Sequence, residues 1–295
     1  MKYVITGGAG NISSPLTEKL LNEGHEVKVI GRNAANLQAL VDKGASTAIG
    51  SVEDVAFLKD AFAGADAVYL MIPPNFNPIN WRHFQNTIAR NYIAALVANG
   101  IKKVVQLSSV GAHMGNGAGP VDGLSDLEIL LQEYKDINVK ALRPSYFYHN
   151  LLHMIPMIKG MNIMGSNFGG GEKKLILVHP KDIAAVAAEE LLALNFAGFS
   201  VRYIAGDEKT GAEIAAAFGK AIDKPDLQWV EFTDEQSLEG MRQAGLTETI
   251  AEGYTTMGKA LREGTMQEDY FRHRPVLSKI RLEDFVPEFV AAYNA

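Results

Sequence analysis

The chain has 295 residues, 47% of them hydrophobic, and a formal net charge of −6. This size allows a large buried core, and the negative charge argues against nucleic acid or an anionic membrane as partner. The absence of cysteine excludes disulfides, thiolate zinc sites and a cysteine nucleophile. An apolar strand begins at Lys2, which leaves no room for a signal peptide, and no apolar run approaches the roughly 18 residues of a membrane span. We therefore expect a cytoplasmic protein.

The first predicted strand, residues 2–6, runs into a glycine-rich turn and then a helix. A strand, turn and helix in this order direct backbone N–H groups and a helix N-terminus at the two phosphates of a dinucleotide. Gly7 and Gly10 match the first two glycines of the G-x-x-G-x-x-G spacing, and Ser13 takes the third place. The residues that we predict to bind the pyrophosphate are Gly7, Gly10, Asn11 and Ile12.

Strand and helix patterns alternate through the first half of the chain. Further strands are predicted at residues 25–30, 46–50, 67–72, 103–107 and 139–142. The predicted helices cover residues 12–23, 33–43, 51–62, 81–98 and 125–134, and a capping pattern at 51–54 opens the third of them. This alternation predicts an α/β fold with a Rossmann-like, doubly wound parallel sheet.

The second half is less regular and predicts a smaller, mostly helical C-terminal lobe. Asp182 is the expected N-cap of a helix to about residue 194, a last sheet strand follows at 201–204, and capping boxes at Thr210 and Thr233 open two more helices. The predicted dinucleotide-binding domain covers 1–148 and is completed by about 176–206, and the predicted lobe covers 149–175 and 207–295. The glycine-rich residues 165–171 predict an irregular loop, either a hairpin tip or a lid over the cofactor.

The second strand is followed by Arg32, at a position where NAD-binding folds place an acidic residue that binds the ribose diol. A guanidinium there pairs with a 2′-phosphate instead, so the sequence favours NADP(H) over NAD(H). Asn33 adds a neutral donor. The alternative is a solvated arginine after a strand.

Five segments, in this order and spacing, resemble the NmrA-like branch of the atypical short-chain dehydrogenase/reductase superfamily. They are residues 6–10 (TGGAG), 30–32 (IGR), 107–112 (LSSVGA), 142–152 (LRPSYFYHNLL) and 179–184 (HPKDIA). The resemblance implies an NAD(P)H-dependent reductase of quinone or azo compounds, or an NADP(H)-binding redox sensor with little catalysis.

The resemblance also implies further cofactor contacts, running from the adenine through the ribose to the nicotinamide. They are Ser51 and Val52, then Ile72 and Pro73, then Ser108, Ser109 and Pro144. Each of these residues has a purely structural alternative, such as ending a strand or capping a turn.

The tyrosine–lysine pair of typical short-chain dehydrogenases is missing. Pro120 and Leu124 take its two places, and neither side chain can transfer a proton or bind a ribose hydroxyl. Carbonyl–alcohol chemistry through that pair is therefore disfavoured, as is nucleotide-sugar epimerase or dehydratase activity.

Other proton donors follow the last strands of the predicted sheet. His113 and Tyr146 are the candidate catalytic residues, and Tyr146, His149 and Asn150 are the candidate substrate contacts. Wall packing or a surface position is the alternative for each. His149 and His153 have the spacing of two metal ligands on one helix face, but no third ligand is evident, so we predict no metal site.

Together these features predict an NADP(H)-binding reductase that transfers hydride directly to a small molecule such as a quinone. Flat acceptors of this kind need little proton assistance at the hydride step, so the missing pair is tolerable. The alternative is a non-catalytic NADP(H) sensor with a regulatory protein partner. We expect a monomer or homodimer and no nucleic-acid or membrane partner.

Overall fold

The structure is a computed structural model that describes residues 1–76 and 79–295. Its strands are β1 (Lys2–Ile5), β2 (Glu26–Gly31), β3 (Ser46–Ile49), β4 (Ala67–Leu70), β5 (Lys103–Leu107), β6 (Asn138–Pro144), β7 (Tyr146–Phe147), β8 (Ile163–Ser166), β9 (Lys174–Val178), β10 (Phe199–Ile204), β11 (Asp207–Thr210) and β12 (Gln228–Glu231). Within the described residues, seven of these strands form one parallel sheet in the order β3-β2-β1-β4-β5-β6-β10.

Helices cover both faces of this sheet and build the C-terminal lobe. They are α1 (Ser13–Asn22), α2 (Ala34–Val41), α3 (Val55–Ala61), α4 (Trp81–Ala98), α5 (Asp122–Glu133), α6 (Ile155–Met161), α7 (Pro180–Ala193), α8 (Gly211–Ala221), α9 (Asp234–Gln243), α10 (Glu248–Glu263), α11 (Glu268–Arg272) and α12 (Leu282–Asn294). No helix in the described part of the chain is long and apolar enough to cross a membrane.

The main sheet has an apolar core on each face. Tyr3 and Val29 pack with α1 and α7 on one face, and Val4 and Val68 pack with α3, α4 and α5 on the other. Every residue of β4 is buried, as expected of a central parallel strand covered on both sides. The predicted Rossmann-like, doubly wound fold is confirmed.

The lobe surrounds a third core. The chain leaves the main sheet after β6, forms β7, α6, β8 and β9, and returns as α7 and β10 before it completes the lobe. Phe218 of α8 and Phe289 of α12 stack with ring centroids 3.7 Å apart, which ties the last helix to the lobe. The predicted capping boxes at Thr210 and Thr233 are both formed.

Three local predictions are wrong. The N-cap of α7 is His179, whose ring accepts a hydrogen bond from the Lys181 N–H, and not Asp182. The helix predicted from residue 51 begins at Val55, where Asp54 accepts two backbone hydrogen bonds. The segment 165–171 is not wholly irregular, since its first two residues belong to β8 and pair with β12.

Candidate functional site

The turn after β1 has a backbone conformation that requires glycine. Gly7 has φ +99°, and a Cβ atom there would lie 2.5 Å from Ser13 Oγ and 2.9 Å from Met71 Cγ. The Gly8 N–H donates to the Ile30 carbonyl at 2.9 Å, which binds the turn to β2. A larger residue at position 7 would therefore displace the turn, because both the backbone angle and the space exclude a side chain.

The N-terminus of α1 has unused hydrogen-bond donors. No side chain caps this helix, and its first turn holds no acidic residue. Within the described residues, the N–H groups of Asn11 and Ile12 donate to no protein acceptor. Ser13 instead donates its hydroxyl to the Thr6 carbonyl at 2.9 Å and so joins α1 to the end of β1. Free N–H groups and the helix dipole fit a pyrophosphate at this place.

The end of β2 presents a free cation. Arg32 is exposed and, within residues 1–76 and 79–295, forms no ion pair or hydrogen bond. Asn33 is partly engaged, because its Oδ1 accepts the Ala35 N–H at 2.9 Å as the N-cap of α2. Its amide N–H groups remain as donors beside the guanidinium.

The segment after β3 is held by local hydrogen bonds. Ser51 accepts the Glu53 N–H at 3.2 Å through its hydroxyl, and the Val52 carbonyl accepts from Asn91 of α4 at 3.2 Å. Both predicted adenine contacts thus lie at the carboxyl edge of the sheet. After β4, Ile72 is buried in the core beneath α4, whereas the next residue, a proline, is half-buried.

The loop after β5 runs along the end of β6. The Ser108 N–H donates to Leu142 at 2.8 Å and the Val110 N–H to Pro144 at 2.9 Å, so the ladder continues past the strand ends. This brings Ser109 and Pro144, two predicted nicotinamide contacts, to the same edge. The third, Ser108, directs its hydroxyl to the buried carboxylate of Glu128 on α5.

A buried polar network lies behind this loop, and the sequence reasoning missed it. Arg143 of β6 contacts Glu128 through two nitrogens, and a third nitrogen donates to the Tyr203 hydroxyl at 2.9 Å and to Asp269 at 3.2 Å. Burial lowers the pKa of Arg143, but its bonds to Glu128 outweigh burial and hold that pKa above the usual value. The guanidinium is therefore always charged and always paired.

Tyr146, the first residue of β7, lies in an aromatic group. Its ring packs edge-on against Phe168, with centroids 5.7 Å apart. Burial raises the pKa of the Tyr146 phenol, and the nearby Tyr254 raises it further. Tyr146 therefore keeps its proton at neutral pH. Asn150, another predicted substrate contact, is half-buried in the 3-10 turn Tyr148–Met154 that follows β7.

His113 lies in the 3-10 turn Ala112–Met114 after β5. Burial lowers the pKa of the His113 imidazole, and the negative charge of Asp269 only partly opposes this effect. Its Nδ1 atom is buried without a hydrogen-bond partner. No hydrogen bond or ring contact joins His113 to Tyr146 in the part of the chain that the structure describes.

His149 belongs to a cluster that sequence spacing does not reveal. Its partners are His179 and Glu288, because the fold brings α7 and α12 to the 3-10 turn, and the three side chains have metal-ligand spacing. His179 Nδ1 accepts the Lys181 N–H, so its Nε2 carries the proton and faces Glu288 at 3.3 Å. A metal ion needs a free lone pair at that nitrogen. As the fold arranges them, the Glu288 carboxylate lies within 3.6 Å of both imidazoles.

Apolar contacts occupy the place of the missing tyrosine–lysine pair. Pro120 lies in a 3-10 turn, and Leu124 packs partly buried against the core beneath α4 and α5. Gly253 of α10 lies against this turn: a Cβ there would be 3.3 Å from the Trp81 ring and 3.9 Å from Pro120. The lobe thus covers the position where a general acid would be expected.

The sequence model of a family described as NAD(P)H-binding matches residues 7–154, which include the glycine turn, the end of β2 and Tyr146. The chain belongs to this NAD(P)H-binding family. Its free helix N-terminus and its exposed arginine after β2 agree with that membership, because both offer donors to a dinucleotide.

Similar proteins agree with the NmrA-like branch. The NAD(P)H-binding chain is 26% identical over 249 residues to an NAD(P)H azoreductase of Xenophilus azovorans, covering 84% of this chain and 83% of that protein. It shares its fold with an NADPH-dependent quinone oxidoreductase of Escherichia coli solved with NADPH, at 21% identity, TM-score 0.79 and coverage of 98% and 99%. A triphenylmethane reductase of Citrobacter gives 16% identity, TM-score 0.77 and coverage of 99% and 100%.

Proposed function

We propose that the protein is an NAD(P)H-dependent reductase of flat small molecules of the quinone or azo type. The observation that carries this proposal is a glycine turn followed by an uncapped α1 N-terminus that can hold a dinucleotide, in a chain where Pro120 and Leu124 replace the proton-transferring pair. The azoreductase of Xenophilus azovorans, similar over most of its length, supports the same reaction class.

The chain's own contribution is binding and orientation. The N–H groups at the start of α1 hold the pyrophosphate, and Ser109 and Pro144 meet the nicotinamide end of the dinucleotide. The half-buried ring of Tyr146, supported from behind by the buried Phe168, offers an aromatic wall to a flat acceptor. Bound NAD(P)H supplies the hydride. An acceptor that takes hydride with little proton assistance needs no proton-donating side chain at position 120.

The finer cofactor preference is also a proposal. We infer that NADP(H) binds more tightly than NAD(H), because Arg32 is exposed, charged and free of partners in the described chain. The 2′-phosphate exists only in NADP(H), and a guanidinium pairs with it through two parallel hydrogen bonds. The amide of Asn33 lies beside it.

The direct test is oxidation of NADPH, followed at 340 nm, with a naphthoquinone and an azo dye as acceptors. We expect turnover with the wild-type protein and a lower kcat/KM for Tyr146→Leu, which removes the aromatic wall. Tight NADPH binding without turnover of any acceptor would refute the reductase and favour the redox-sensor alternative.

The role of His113 stays a prediction, and the same assay tests it. A tenfold or greater fall in kcat for His113→Ala, with NADPH binding unchanged, would support proton transfer by this residue. An unchanged kcat would remove His113 from the catalytic candidates.

A further inference from the structure

The glycine-rich segment 165–171, for which the sequence predicts a hairpin tip or a lid, is fixed at its centre by Asn167. This residue is fully buried, and its side-chain amide donates to the Asp234 carboxylate at 2.7 Å and to the Thr255 carbonyl at 2.9 Å. Its backbone carbonyl accepts a hydrogen bond from Arg262 at 2.8 Å. A buried amide with both donors used holds one geometry, which is typical of a fixed support and not of a lid.

Two helices of the lobe set the position of this amide. Gly258 lies inside α10, and a Cβ atom there would overlap the Asn167 side chain, so only glycine leaves room for it. Arg262, one turn further along α10, binds the two oxygens of Asp234 at 2.7 and 2.9 Å. Asp234 is the first residue of α9. The ion pair thus joins α9 to α10 around Asn167.

The next residue, Phe168, is held through its backbone as well. Its carbonyl accepts the indole N–H of Trp229 at 2.9 Å, and the two rings lie 6.2 Å apart. Gly169 follows with φ +86°, and a Cβ there would lie 2.8 Å from the Trp229 ring. The chain is therefore fixed on both sides of Phe168, and its buried ring has one place to lie.

That place is behind the ring of Tyr146, with centroids 5.7 Å apart. Phe168 is buried whereas Tyr146 is half-buried, so Tyr146 is the member of the pair that a ligand can reach. An edge-on aromatic pair has a preferred distance and angle, and a shift of the buried ring moves the other. The face that Tyr146 offers to a flat acceptor therefore depends on where Phe168 lies.

We propose that Asn167 is a positioning residue for the acceptor site, which acts through Phe168 and sets the position of the Tyr146 ring. This inference rests on the proposed reductase function. It adds that the acceptor is a planar ring system bound by its face to a wall that the lobe holds in place. Acceptor affinity depends on Asn167, whereas dinucleotide affinity does not, because the proposed cofactor residues belong to the main sheet and its loops.

Gly258→Ala tests the inference, because its Cβ displaces the Asn167 amide and changes no residue of the aromatic group. We expect both KM for 1,4-naphthoquinone and its dissociation constant from the protein–NADP⁺ complex to rise about 3- to 10-fold, the range for one aromatic contact. The kcat and the NADPH affinity should not change. Gly240→Ala in α9 is the matched control: among the described residues no atom lies within 4 Å of its Cβ, so every value should stay the same.

Trp229→Phe is a second variant that acts on the other side of Phe168. It keeps an aromatic ring in place and removes only the hydrogen bond to the Phe168 carbonyl. We expect a rise in KM for 1,4-naphthoquinone of about two- to fivefold, again with NADPH affinity unchanged. Tm values of all variants, measured in parallel, show which of them are folded.

The other outcomes are decisive. If the wild type reduces naphthoquinone and a folded Gly258→Ala matches it in KM and quinone affinity, the inference fails while the reductase function stands. If Gly258→Ala loses NADPH and quinone affinity together, Asn167 is structural and the inference fails. If Gly258→Ala does not fold, wild-type quinone affinity in Trp229→Phe refutes the inference. A wild-type protein that binds NADPH but neither binds nor reduces the quinone overturns both proposals.

Discussion

Arg143 and Glu128 form a two-point ion pair: Nε lies 3.0 Å from Oε1, and Nη2 lies 2.6 Å from Oε2. Both side chains are buried, so water cannot replace either partner of the ion pair. The same carboxylate accepts the Ser108 hydroxyl. One carboxylate thus joins α5, β6 and the loop that leads to the nicotinamide side of the site.

Glu128→Gln should lower the free energy of unfolding by about 3 kcal/mol, because it removes the two-point counter-charge of a buried guanidinium and leaves only Asp269, 3.2 Å from its third nitrogen. Urea denaturation followed by circular dichroism measures this loss. Glu23→Gln breaks an exposed pair with Lys19, 2.7 Å apart, and should have no measurable effect. Equal stability of Glu128→Gln and the wild type would show that the pair is not a structural requirement.

Gly7→Ala should abolish NAD(P)H binding, because the new Cβ would collide with Ser13 and Met71 and shift the turn. Gly24→Ala is the control: φ is +81°, but no atom lies within 4 Å of the new Cβ. This control should cost about 1 kcal/mol of stability and retain full binding. Fluorescence titration with NADPH distinguishes the two variants. Binding by Gly7→Ala at wild-type affinity would contradict the proposed role of the turn.

Arg32→Ala should weaken NADPH binding about 10- to 100-fold, the range expected for loss of a charge-assisted hydrogen-bond pair. NADH affinity should stay the same, because NADH has no 2′-phosphate. Arg90→Ala, an exposed arginine on α4, serves as the control for lost positive charge. Calorimetric titration with both dinucleotides provides the comparison, and equal losses for the two would exclude contact between Arg32 and the phosphate.

The lowered pKa of Asp234 predicts that the folded protein loses stability in acid. The ion pair with Arg262, 2.7 Å away, and a hydrogen bond from Asn167 lower the pKa of Asp234 to about 2. Because the folded-state pKa lies below the unfolded one, this group stabilises the protein above about pH 4, and the contribution disappears as the pH falls towards 2.

Asp234→Asn should therefore lower Tm at pH 7 and flatten its dependence on pH between 4 and 2. Differential scanning fluorimetry at pH 7 and between pH 4 and 2 measures both effects. Asp136→Asn, which alters a carboxylate with an 88% exposed side chain, should follow the wild-type curve. A Tm difference between wild type and Asp234→Asn that persists undiminished at pH 2 would be inconsistent with this assignment.

Local patterns predict the main sheet well, because each strand and its neighbouring helix are encoded within a few residues. The buried run of β4, the full extent of α4 and the glycine turn are of this kind. The same local patterns predict at which edge of the sheet the cofactor residues lie, because the carboxyl ends of parallel strands are all on one side.

Contacts between distant segments are not encoded locally, and sequence reasoning missed them. Arg143 and Glu128 lie 15 residues apart in the chain, and only the packing of α5 against the main sheet brings them together. The partners of His149 come from α7 and α12. His179 as an N-cap also escapes the usual preferences, which favour Ser, Thr, Asp and Asn.

The return of the chain to the main sheet as β10 determines at which point of synthesis that sheet can be completed. β6 acquires its second neighbour only when residues 199–204 are present, after β7, α6, β8 and β9 have been made. A nascent chain that ends near residue 154 exposes β6 as an open edge, which invites pairing with other chains. The main sheet therefore stays open at β6 until residue 204 has been made, and a chain that stops before β10 carries an aggregation-prone edge.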